Sequence, residues 1–536
     1  MPYTKKGILF ITKALVCLTG FLAACAIASA QTIDWTGGAG DGLWDTSGNW
    51  AGGNVPNTSG ENPEFDTASF VTPGAQAVTL SNPTTIGSLR INTTDSITIN
   101  GSTTLTTGNA ITGVSSVAPN LTINPNISTS SVLYFTGFSG GQITFNGSVS
   151  QGGDMATFSP STQITFNGNI SGSGRLYIED TAGDSGRMTI TAANSYTGNT
   201  TVRGGTLAAS GDATFGDGTG TILIIGRSTT TTSDAVLELS NLNNSISNPY
   251  TFGGDGQSGA GVLRLTSGSA TFTGAGRTTG NGGSTTIFVA VTGTTLTFAN
   301  TLTTYSGNTI VFDGDGDVST SGSGAIIQSS GTADLRKGGT GTLTYGGAAN
   351  TYAGSTTING GSLVLNATGN SIADGGLILN SGTSASLSKS DQIGSSILTL
   401  NSATFNTNGF DEALGALILL GDSNFNLGSG DSVIAFADSS GQSWTAGQTF
   451  ILLKWTGSLS GGGTDQVLFG SDASGLTSGQ LGQITFRDPD GLGLGDYAAQ
   501  ILGTGEVVPV PEASTYALVL GLVAGVYLIY RKRKNG

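Results

Sequence analysis

Residues 121–128 read LTINPNIS, 143–150 read ITFNGSVS and 164–171 read ITFNGNIS, with starts 22 and 21 residues apart; a related ITING begins at Ile97. Each copy offers an apolar–Thr–apolar triplet, an Asn-Gly or Asn-Pro turn signal and a second small strand. This recurrence suits one coil of a solenoid, in which a unit unable to bury its own apolar face buries it against its neighbours. In such a coil Ile, Leu, Val and Phe point into a narrow core and Thr and Ser point outward at alternate positions. Gly and Asn take the corners, where a positive φ is required. The expected fold is all-β, a parallel β-helix or β-solenoid with β caps. A β-sandwich also accommodates short strands between turn signals and is the competing architecture. If residues 80–420 were coiled at about 22 per turn, about 15 turns would stack over roughly 75 Å.

A longer unit, NSYTGNTTVRGGTL at 194–207, returns 156 residues later as NTYAGSTTINGGSL at 350–363, with a partial copy at 304–310. Tyr, three Gly, two Thr and one Leu keep register between the full copies. The unit resembles the autotransporter-associated β-strand repeat, and that resemblance implies parallel β-helix rungs on an exported protein.

Gly accounts for 88 of 536 residues and charged residues for only 10%. The recurring triplets nevertheless supply the apolar surface that disordered chains lack, so the chain should fold. The repeats occupy 79–410. Before them, 31–78 holds Trp35, Trp44 and Trp50 and resembles the segment common ahead of such repeats. Three such rings cap the open end of a solenoid, or stack on sugars. After the repeats, 411–505 has longer apolar strands at 414–420, 433–436 and 450–453, with Trp444 and Trp455, and reads as a terminal β cap.

The two ends address the chain. Residues 1–30 place Lys5 and Lys6 before an apolar stretch and finish in Ala28-Ser29-Ala30, the order of a secretory signal peptide cleaved after Ala30. Leu22-Ala23-Ala24-Cys25 also looks like a lipobox, which would make Cys25 the acylated residue. At the other end, 515–530 is uncharged and mostly apolar, and Arg531, Lys532, Arg533 and Lys534 follow. Sixteen residues span about 24 Å as a helix, and flanking cations cover the deficit against the bilayer. The expected result is a C-terminal single transmembrane helix with its basic end in the cytoplasm. Just ahead stand Pro511, Glu512 and Ser514. Motif, span and basic tail over 509–536 resemble the PEP-CTERM sorting signal, with Ala513 in place of the usual second proline. The resemblance implies an exosortase-type sorting protease as partner.

Both cysteines, Cys17 and Cys25, lie in the leader, and the chain has no histidine. Imidazole bases, thiolate nucleophiles and most zinc sites are therefore excluded after cleavage. Carboxylate pairs, or carboxylates with Arg or Lys, are what remains. Asp313-Gly314-Asp315-Gly316-Asp317 resembles the start of a calcium loop, but Val318 and Gly324 stand at its sixth and twelfth positions, so it reads as a solvated turn. Asp488, Asp490 and Asp496 form a weaker case, in which Arg487 pairs with Asp488. No catalytic residue, metal site or cofactor is assigned. A groove gathering acidic residues around Arg264 or Arg277 would instead indicate a polysaccharide lyase or hydrolase. Outward Thr raises the binding of ice or polysaccharide by hydroxyl arrays, but the triplets vary in spacing and Thr content, so no regular array is expected. Residues 31–510 carry 12 basic and 33 acidic side chains. A net charge near −21 repels nucleic acid and is more compatible with divalent cations or with neutral glycans such as extracellular polysaccharide. The function expected is that of an exported, non-enzymatic surface or matrix protein, anchored at the membrane or released after processing.

Overall fold

The triplets that open the sequence lie one above another. In parallel register, Ile143 faces Leu121 on one side and Ile164 on the other, while Phe145 faces Ile123 and Phe166. All are buried, and the Phe145 and Phe166 rings stack at 4.7 Å. Alternation within each strand, as in Gln142–Phe145, sends every second side chain inward. The computed structural model describes residues 31–157, 161–179, 186–226, 234–279, 285–372, 374–511 and Arg531. They form a parallel β-solenoid and not a sandwich.

The chain divides into two compact units, Met1–Gly174 and Arg175–Gly536. In the first, one face runs through five strands from Gln76–Thr79 to Gln163–Phe166, and a second face starts at Gln31–Asp34. In the second unit the corresponding face has eleven strands, from Arg187–Ile190 to Leu417–Leu419. A further face starts at Ser269–Phe272. Among the described residues the turns number about 16. Parallel pairing passes residue 410 and continues through Phe450–Leu453 to Ile484–Arg487. Two antiparallel strands, Asp496–Ile501 and Val507–Pro509, follow.

Corner glycines depart from expectation. Gly147 and Gly168, of the Asn-Gly signals, are absent from the positive-φ positions. They are required because a Cβ at Gly147 would stand 2.2 Å from the Pro125 carbonyl oxygen, and one at Gly168 2.2 Å from that of Gly147. Coil-on-coil approach, and not turn handedness, selects glycine there. Gly205 and Gly361, the second glycines of the longer unit, do adopt positive φ, +76° and +67°.

The longer unit has a physical explanation in both copies. Tyr196 and Tyr352 are buried and share hydrogen bonds with the Thr200 and Thr356 hydroxyls, at 2.6 and 2.5 Å. Those threonines point inward, contrary to the outward rule. Asn194 and Asn350 donate their amides to the Thr214 and Ser371 carbonyls of the next coil.

Candidate functional site

The three tryptophans of residues 31–78 are closed to ligands. Trp35, Trp44 and Trp50 are at most 2% exposed, packed edge-on at 4.8–5.0 Å. Their indole N–H groups donate to Gln76 Oε1, the Pro56 carbonyl and the Trp44 carbonyl. No ring face is left for a sugar.

The Asp313–Asp317 run acquires a cation that its sequence neighbourhood did not suggest. Lys337 occupies an inward position of its column, between Phe312 and Ile358. It is 1% exposed, and its ammonium donates to the Gly338 and Gly339 carbonyls. Burial pushes its pKa down, while Asp313, Asp315 and Asp317 oppose that shift. Asp315 Oδ1 accepts from both the N–H and the hydroxyl of Thr340, and Asp317 Oδ1 accepts from the Thr342 N–H. The carboxylates tie one coil to the next. The other acidic cluster is also rearranged. Arg487 makes a two-pronged pair with Asp496, at 2.8 and 2.9 Å, instead of pairing with Asp488. Asp488 accepts from the Gly495 N–H.

Arg264 and Arg277 lie on different faces. Arg264 stands beside one carboxylate, Glu238, which is already held by a two-pronged bond from Arg187. Those hydrogen bonds lower the Glu238 pKa, so it is an ion-pair partner and not a proton donor at neutral pH. The register neighbours of Arg277 are Thr251 and Thr303. Among the described residues neither arginine gathers a pair of carboxylates. Among the described residues no group of His, Cys, Asp and Glu could hold a metal ion.

A cavity of about 210 Å³ opens in the second unit beside Asn194, Asp217 and Asn248. Its polar groups serve the fold: Asn248 donates to the Phe215 and Gly220 carbonyls, and Asp217 accepts from Thr219. It falls below the roughly 300 Å³ at which ligand clefts begin.

Sequence reasoning missed a hydroxyl-bearing face. Across seven consecutive strands from Ser269–Phe272 to Thr404–Asn406, every outward position is Ser or Thr except Asp317, Val364 and Asn406. Spacing along the chain varies between 20 and 26 residues, yet the register aligns the columns because surplus residues go into corners. The array judged irregular in sequence is regular in space.

Of the residues expected to serve in sorting, Pro511 ends the described body and Arg531 is described and exposed. Ala28, Ala30, Cys25, Glu512, Ser514, the span 515–530, and Lys532, Arg533 and Lys534 lie outside the described residues. Among the described residues no helix is long and apolar enough to cross a membrane.

Residues 181–209 and 335–365 match the family model of the passenger-associated-transport-repeat. No curated protein and no solved structure matches the chain. Each matched segment contains one of the two Tyr–Thr hydrogen bonds, Tyr196–Thr200 or Tyr352–Thr356, made within a single coil.

Proposed function

We propose that the chain is an exported, non-enzymatic passenger of the cell surface or extracellular matrix, whose solenoid presents an acidic, hydroxyl-rich surface for structural or adhesive contacts. The observation that carries the reading is the pair of passenger-repeat matches, both on coils of one parallel ladder. Export fits the leader ending at Ala28 and Ala30. Sorting fits Pro511, Glu512 and Ser514 ahead of the apolar span 515–530 and the Arg531–Lys534 cations, read by an exosortase-type protease. The body would then meet extracellular polysaccharide, and its negative charge disfavours nucleic acid.

Protease shaving of intact cells tests this reading. The body should be digested from outside, and an N-terminal tag placed before Ala30 should be missing from the mature product. Glu512→Ala should impair sorting more than Ala513→Gly. Retention of an intact, protected chain in the cytoplasm refutes the proposal.

A further inference from the structure

Resting on the reading of the chain as an exported passenger, we propose that the seven-strand hydroxyl face from Ser269–Phe272 to Thr404–Asn406 is a docking surface for a neutral, extended polysaccharide. Charge separates this face from its surroundings. Its outward columns hold a single ionised group, Asp317, whereas the outward column through Glu238, Arg264 and Asp313 on the adjoining face is charged. In a protein of net charge −15, anionic polymers are repelled and cations are drawn to the acidic corners. An uncharged polyol matches the uncharged face.

Spacing supports the same partner. Thr297 Oγ1 and Ser319 Oγ lie 3.0 Å apart, and the Ser384 hydroxyl donates to Ser362 Oγ at 3.1 Å. Hydroxyls of successive coils are thus already at hydrogen-bonding distance from one another. A hydroxyl carries one donor and two acceptor sites, so a bond along the column leaves acceptor capacity facing out. Backbone N–H and C=O groups of these strands pair within the ladder, which leaves side-chain hydroxyls as the polar groups offered. No aromatic side chain occupies an outward position of these strands. Recognition therefore rests on many modest hydrogen bonds made at once, repeated at about the 4.8 Å coil spacing. A long chain should bind, and a free monosaccharide should compete poorly.

The test uses the full chain, recovered from expressing cells in detergent and sedimented with insoluble cellulose. The wild-type chain should pellet with the polymer, and glucose should not release it. Replacing Thr295, Thr297 and Thr344 together by Val keeps the β-branched shape suited to strands. The triple variant should bind at least about tenfold more weakly, the scale expected for losing three modest hydrogen bonds. Replacing Thr189, Thr251 and Thr303, outward on other faces, by Val should change nothing, and circular dichroism should show both variants folded. Absence of pelleting by the wild type, equal loss in both variants, or retention at a growing ice surface in place of cellulose overturns the proposal. Protease shaving reads export separately, so failure of one reading is distinguishable from failure of the other.

Discussion

Leu343 sets the scale of what one inward residue contributes. It is fully buried, with Val318 above and Leu363 below in the same inward column. Burying such a side chain contributes about 1.5–3 kcal/mol. Leu343→Asp removes that and places a carboxylate among neighbours that cannot pair with it, a condition costing about 3–5 kcal/mol. A combined loss of roughly 5 kcal/mol or more compares with the 5–15 kcal/mol that stabilises a typical domain. Stacked coils interact mainly with their neighbours, so the damage should be local. Thr344→Asp, one residue on and facing outward, should stay within about 0.5 kcal/mol. Hydrogen exchange read by mass spectrometry is the assay. Leu343→Asp should strip protection from the strands Asp317–Thr320, Thr342–Tyr345 and Ser362–Leu365 while Ile484–Arg487 keeps its own. Equal protection in the two variants would refute the inward–outward assignment.

Two tyrosines should respond oppositely to loss of their hydroxyl in thermal unfolding. Tyr352→Phe strands the buried Thr356 hydroxyl and should cost about 1–3 kcal/mol, whereas Tyr250→Phe removes a buried hydroxyl without a partner and should be neutral or stabilising. Gly147→Ala should destabilise by about 1–3 kcal/mol through collision with Pro125, while Gly53→Ala, with open space around it but a positive φ, should cost about 1 kcal/mol or less. Hydrogen bonds from Thr340 hold the Asp315 pKa below its ordinary 3.8. A lowered carboxyl pKa stabilises above the unfolded value and loses that contribution as pH falls through the folded one. Asp315→Asn should therefore lower Tm slightly at pH 7 and flatten its fall below about pH 4, the two proteins converging at lower pH.

Periodicity made the coil legible, because Ile143 and Ile164 recur at one coil length and alternate with polar residues. Tyr196 and Tyr352 were legible as repeat markers, though their hydrogen bonds to Thr200 and Thr356 were not. Arg487 was assigned to its sequence neighbour Asp488, but the antiparallel turn-back of Asp496–Ile501 brings Asp496 opposite it.

The chain's order of residues by itself determined the all-β class, the coil length and most inward and outward positions, Thr200, Thr356 and Lys337 being exceptions, because those depend on a local period of two within strands and on turn residues between them. Tertiary structure alone decided which residues meet across coils. The buried Lys337 came within the field of three aspartates about one coil earlier in the chain, and hydroxyls at uneven sequence intervals became aligned columns. Parallel register matches strands to strands and lets corners absorb surplus length, so distance along the chain does not predict distance between coils.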